Sequence, residues 1–169
     1  MAGGLPLKIE HRIGIQTPAS AIWPMIADIE AWPTWNPIYR KAEGKLAFDA
    51  RLTLEVQLPG EAPRVIRPVV VDWTPAEQII WKLSMFGGLL RTTLFIEIET
   101  LDNGYCIFSN GEFFEGPLVR LLSKAQRKAI KAGFTLFGEK VRERALAAWE
   151  AEGGVEGHPD FKPRAADAT

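Results

Sequence analysis

A chain of 169 residues that is 47% hydrophobic and 24% charged has the composition of one globular domain with a sizeable core. Its net charge of -1 excludes a global field that would gather nucleic acid. A single cysteine, Cys106, excludes an intramolecular disulfide and a thiolate metal cluster, and two histidines do not make a metal site. The start, MAGGLPLKIE, lacks a basic region followed by an apolar run, and no window reaches about 18 apolar residues. The expected protein is cytoplasmic, with no membrane insertion and no nucleic-acid partner.

From Leu5 to Ile15 the apolar residues Leu5, Leu7, Ile9, Ile13 and Ile15 are interleaved with Lys8, Glu10 and Arg12, and period two predicts a half-buried strand. His11 falls on its apolar parity. In QTPASAIWPMIAD, Thr17 can cap a helix with Pro18 at its first position. Pro24 lacks an N–H donor, so that helix is short or kinked. In the next stretch, AWPTWNPIYR, Pro33 and Pro37 push Trp32 and Asn36 out of the α region and make a broken, turn-rich connection. Trp32 and Trp35 each have about 150–250 Å² to bury. They either plug a core or wait for a ligand.

Period two then returns in ARLTLEVQL, VIRPVVVDW, IIWKLSM, LLRTTLFIEIETL and YCIFSNGEFF, separated by PGEAP, TPAE, FGG and DNG. The pattern predicts an antiparallel meander, with Asp102-Asn103-Gly104 its strongest hairpin signal. Pro68 inside VIRPVVVDW predicts an edge or a bulge. From Pro117 to about Gly153 the spacing predicts one long helix, with Val119, Leu122, Ile130, Phe137 and Val141 on its apolar stripe. Gly133 and Gly138 interrupt it and signal close packing, a bend, or room left for something else. Residues 1–153 form a single domain on this reading, and residues 154–169, rich in Gly, Pro, Ala and charge, a disordered tail.

The segment PASAIWPMIADIEAWPTWNP resembles the pattern P-A-x-x-V-W-x-x-L-x-D-x-x-x-W-P-x-W-N-P of the polyketide cyclase/dehydrase and lipid-transport family, within the START-like (SRPBCC) superfamily. NGEFFEGPL and AGFTLFGEKVRER are similar to the same family's final strand and helix, so the resemblance spans about residues 8–150. It implies an α+β, helix-grip fold: a curved antiparallel β-sheet wrapped around a long C-terminal α-helix, with two short helices after the first strand and a cavity between sheet and helix. It also implies that the first and last strands are neighbours, and that the Trp-rich segment packs near the small helices. The superfamily hosts carriers, cyclases and hydrolases, so the fold does not fix the chemistry.

The family pattern H-x-E-x-F-x-G corresponds here to Asn110, Glu112, Phe114 and Gly116, with asparagine in place of histidine. One parity puts Asn110, Glu112 and Phe114 on one face. On a cavity face Glu112 is a carboxylate whose pKa desolvation raises toward the range of acid catalysis; on a rim it is an ordinary paired glutamate. His11, the histidine outside the tail that holds His158, is either a satisfied inward side chain or a general base. Trp81, Phe108, Met85 and Phe95 either fill a pocket or line it.

With the cavity that the resemblance implies, the candidate ligand contacts are His11, Trp35, Trp81, Asn110, Glu112, Phe114, Phe134 and Phe137. The expected function is binding of a small hydrophobic or amphipathic molecule, lipid-like or polyketide-like. The alternative is a polyketide cyclase/dehydratase-type enzyme using Glu112 or His11 as acid/base. No cofactor and no metal are expected. Ser84 and Ser109 lack a nucleophile elbow, Cys106 lacks a flanking base, and Gly87-Gly88 is a turn rather than a phosphate cradle. Arg120, Lys124, Arg127, Lys128 and Lys131 stand between Pro117 and Gly138 without one acid. They form either a solvated face or one that meets an anionic membrane surface or an acidic partner. The sequence assigns no oligomeric state.

Overall fold

The computed structural model describes residues 6–154. Leu5 and residues 155–169, with His158 and nearly all of the expected tail, lie outside the described residues. Strand β1 (Leu7–Ile15) pairs antiparallel with β8 (Cys106–Glu115), followed across the sheet by β7 (Leu90–Thr100), β6 (Gln78–Met85) and β5 (Val69–Thr74). First and last strands are thus neighbours. The β7–β8 hairpin turns at Asp102-Asn103-Gly104, where Gly104 takes φ 85 and the Asn103 side chain accepts from the Tyr105 N–H at 3.0 Å.

A second ladder joins β2 (Tyr39–Glu43), β3 (Thr53–Val56) and β4 (Arg64–Ile66). The two ladders meet along one line. Arg51 bridges Val69, and the Leu52 N–H donates to the Pro68 carbonyl at 2.9 Å. Pro68, expected at an edge or bulge, stands where the strand VIRPVVVDW breaks into β4 and β5, because its ring nitrogen has no hydrogen to give. Strand β2 was not legible in the period. A bulge between Tyr39 and Lys41 shifts the register, so the buried residues Tyr39 and Ala42 are three apart and alternation is lost.

The segment after β1 departs from the expectation in detail. Thr17 does not cap: it is buried, its hydroxyl has no partner among the described residues, and Pro18 holds an extended backbone before a 3₁₀ turn at Ala19–Ala21. Pro24 lies at the start of α1 (Trp23–Ala27), where a missing N–H costs nothing, so it begins the short helix rather than kinking it. A 3₁₀ turn at Ile29–Thr34 carries the chain on to Asn36, whose side chain accepts from the Ile38 N–H at 3.0 Å.

The long helix α2 runs Lys124–Ala151. It starts later than expected: Pro117–Leu121 is a separate 3₁₀ turn, Leu122 is extended, and Ser123 with Gln126 forms a reciprocal capping box. Val119 and Leu122 therefore belong to the approach, not to the helix stripe. That stripe is Ile130, Phe134, Phe137, Val141, Ala145 and Trp149, buried at helical spacing. Gly133 and Gly138 lie on it as close-packing positions. A Cβ at Gly133 would stand 2.6 Å from the Leu58 side chain, and one at Gly138 would stand 2.5 Å from His11.

Candidate cavity between sheet and helix

Directly opposed strand residues share a face, so β1 and β8 send Ile9 with Glu112, and His11 with Asn110, toward α2. Asn110 is 1% exposed, and its side-chain amide donates to the Phe134 carbonyl at 3.1 Å, tying β8 to the helix. His11 presses its ring against Gly138; its Nδ1 has no hydrogen-bond partner among the described residues. Burial lowers the His11 pKa, the positive charge of Lys131 lowers it further, and Glu139 acts the other way. The Lys131 ammonium itself donates to the Glu10 carbonyl. This cluster is a helix–strand contact.

Glu112, two residues along β8, faces a different environment. It is 4% exposed and lines a chamber whose walls are chiefly Ile38, Val56, Ile66, Leu94, Ile130 and Phe134. The chamber has about 20 Å³ of free volume, room for about one water molecule, which needs roughly 10–15 Å³ by this measure. Val56, Leu58, Arg64 and Ile130 belong both to it and to a second space of about 80 Å³ between the β3–β4 hairpin and the start of α2. That outer space is bounded by Glu61, Leu122 and Gln126, so the two form an inner chamber and its mouth.

Burial pushes the Glu112 carboxyl up to about 7, with the positive charge of Arg64 pulling against it. Among the described residues Glu112 forms no salt bridge. Tyr39, on the same chamber, is held above the ordinary phenol range by burial and then by the neighbouring Glu112 charge. Near neutral pH the chamber thus holds a carboxyl that is both a ready donor and a ready acceptor.

Of the eight candidate contacts, Glu112 and Phe134 line this chamber. The structure sends the other six elsewhere. Phe137 is the hub of an aromatic cluster, with ring centroids 5.9 Å from Trp35 and 5.8 Å from Phe108, and Trp81 joins it through Trp32 at 6.1 Å. Phe114 is buried between Leu7 and Thr92 on the neighbouring strands. His11 and Asn110 hold the helix. Sequence reasoning missed Tyr39, Arg64 and Leu58. Leu58 had a signal, as the last residue on the inward parity of ARLTLEVQL, and Arg64 had none, because its role comes from the fold of the PGEAP hairpin.

A family model described as polyketide cyclase / dehydrase and lipid transport matches residues 6–145. The chain belongs to this family. Among solved structures, this member of the polyketide cyclase/dehydrase and lipid-transport family is similar to a START superfamily protein from Mycobacterium smegmatis, at 17% identity and TM-score 0.64, over 83% of this chain and 97% of that one. It is also similar to the Zhui aromatase/cyclase from Streptomyces sp. R1128, at 16% identity and TM-score 0.62, over 90% and 98% of the two chains. The di-domain ARO/CYC StfQ from the steffimycin biosynthetic pathway matches at 14% identity and TM-score 0.64 over 88% of this chain and 52% of that one, so the chain spans about half of the di-domain protein. No curated protein matches. At these identities the likeness is one of fold, the START-like helix-grip. Within this family member, Cys106 is buried, and burial raises its thiol pKa. No helix among the described residues is long and apolar enough to cross a membrane.

Proposed function

We propose that the chain binds a small hydrophobic or amphipathic molecule, lipid-like or polyketide-like, between sheet and α2, entering between the β3–β4 hairpin and the first turns of the helix. The observation that carries this is Glu112: a buried carboxyl that forms no salt bridge among the described residues, in a largely apolar chamber that shares Val56, Leu58, Arg64 and Ile130 with the outer space. Taking a carboxyl out of water costs free energy that an apolar side chain at the same place would not, and a purely structural position gains nothing from it. A chamber of about 20 Å³ admits such a molecule only when its walls part. This reading assigns the movement to the β3–β4 hairpin, whose residues 59–65 are all exposed and whose β4 has three residues.

The Glu112 pKa of about 7 favours a second reading, a polyketide cyclase/dehydratase-type enzyme in which Glu112, with Tyr39 beside it, moves protons on a bound polycarbonyl chain. His11 has no part in that version, because it lies against Gly138 outside the chamber.

Native mass spectrometry of freshly purified protein, followed by titration with the co-purifying molecule or an apolar fluorescent probe, tests both versions. Ile130→Trp fills the chamber from the helix side, and the expected result is at least roughly tenfold weaker binding with an unchanged far-ultraviolet circular dichroism spectrum, since an overfilled pocket excludes its ligand. Equal affinity in a folded Ile130→Trp protein would end the reading.

A further inference from the structure

At the end of the molecule where α2 begins, three large apolar side chains stand in solvent: Phe86 is 69% exposed, Leu89 49% and Leu121 69%. They come from two segments that are fastened together. The Leu118 N–H donates to the Leu89 carbonyl at 3.2 Å, and Gly116 sits so close to that carbonyl that no side chain fits between them. Phe86, Gly87 and Gly88 take φ 53, 63 and 90 in succession, a left-handed run that residues with side chains avoid and that turns the Phe86 ring away from the core. Nothing in the fold needs these three residues to be apolar.

The charge around them is mainly positive. Arg120, Lys124 and Lys128 are exposed, no acid occurs between Pro117 and Gly138, and Arg91 is exposed with its guanidinium donating to the Gly88 carbonyl at 3.0 Å. Glu115 stands opposite Arg91 in the β7–β8 ladder, and Glu61 lies across the mouth. Leu121 is followed by Leu122, which lines the mouth of the chamber. Protruding apolar tips ringed by basic side chains match a bilayer interface, where rings and aliphatic chains enter the acyl boundary and cations face anionic headgroups.

We propose that this end of the protein docks on the surface of an anionic lipid bilayer, with Phe86, Leu89 and Leu121 entering the interface and Arg91, Arg120, Lys124 and Lys128 meeting the headgroups. Docking sets the chamber mouth against the membrane. It lies on the surface and spans nothing, and it stands whatever the chamber holds, so its failure leaves the cavity reading intact.

The test is co-sedimentation of the full chain with vesicles of phosphatidylcholine alone and of phosphatidylcholine with about one-third phosphatidylserine. The expected result is sedimentation with the anionic vesicles only, reversed by salt as the screening length falls toward about 3 Å at 1 M. Lys124→Gln and Lys128→Gln should each weaken binding about fivefold. Phe86→Ser and Leu121→Ser, both at exposed positions, should weaken it further while leaving the circular dichroism spectrum unchanged. Three results overturn the proposal: no sedimentation with anionic vesicles, sedimentation that the two serine variants leave unchanged, or a concentration-dependent dimer that those variants dissolve, which would make the patch a contact with a second copy.

Discussion

Gly138 of α2 touches His11 of β1 so closely that a Cβ at position 138 would stand 2.5 Å from Nδ1 and 2.9 Å from Cε1 of the ring. This contact sets how near the helix lies to the sheet, and with it the depth of the chamber beside it. Gly138→Ala gains about 1 kcal/mol of helix propensity and loses about 1–3 kcal/mol to overpacking. Because the His11 ring is half-buried and yields only in part, the expected outcome is net destabilisation of about 1 kcal/mol. It is read from the midpoint of urea unfolding with an unchanged slope. Adding His11→Ala should restore stability, a coupling that two independent sites would not show.

Trp32 resolves the tryptophan question that AWPTWNPIYR raises. It is 0% exposed, its indole N–H donates to the Ile26 carbonyl at 3.1 Å, and its ring lies 4.9 Å from Tyr39 and 6.0 Å from Phe137. Trp32→Ala should cost about 3–5 kcal/mol, as large aromatic truncations in cores do. Trp32→Phe, which keeps a ring and orphans the Ile26 carbonyl, should cost about 1–2 kcal/mol from the lost hydrogen bond. Trp35, 8% exposed with the Arg144 guanidinium 5.4 Å above its ring, belongs to the same cluster. A Trp35→Ala protein of undiminished stability that no longer bound ligand would return that residue to the ligand side.

What the sequence disclosed depended on how local the signal was. Period-two runs such as ARLTLEVQL gave their strands because Leu52, Leu54 and Val56 really are buried on one face. The DNG turn gave its hairpin because Gly104 supplies the positive φ that the turn needs. Strand β2 stayed hidden because its bulge destroys the period, and the start of α2 was placed early because Val119 and Leu122 mimic helical spacing across a break. Glu112 came from the family pattern and its strand parity, and Phe134 from the cavity that the resemblance implies; both stand on the chamber. Whether an inward aromatic lines a void or fills it depends on the three-dimensional fit of Phe137, Trp32 and Trp81, which no linear pattern encodes.

Glu112 should also leave its mark on stability. Its carboxyl is raised from 4.5 to about 7 in the fold, so the folded chain holds a proton that the unfolded chain has released between those values. Its contribution is intact below pH 4.5 and is lost as pH rises toward 7, by about 3 kcal/mol at most, since each pKa unit is worth about 1.4 kcal/mol. Glu112→Gln removes this dependence, and its stability relative to the parent should rise by that amount between acid and neutral pH. His11 acts in the opposite sense: with its pKa lowered from 6.5, it favours the fold above that value and loses that contribution as pH falls. Urea unfolding of Glu112→Gln and His11→Gln across the acid range separates the two, and parallel pH curves for parent and Glu112→Gln would mean that the carboxyl is solvated.

The same substitution decides between the two functional readings. In a binder, Glu112→Gln keeps shape and hydrogen-bonding capacity and changes affinity for an apolar ligand by no more than about 1–2 kcal/mol, the scale of one polar contact. In an enzyme it removes the group that carries the proton, and turnover should fall roughly 10²–10⁴-fold with binding little altered. Tyr39→Phe sharpens the comparison, because the Tyr39 phenol lies on the same chamber and its pKa is driven further up, which leaves it a hydrogen-bond donor rather than a base near neutral pH. A working Glu112 also imposes its own titration on the rate, with an inflection near the carboxyl's value of about 7 that disappears in Glu112→Gln. A rate that kept the inflection in that variant would assign the proton to another group, and undiminished turnover in both variants would leave the chamber with binding as its one task.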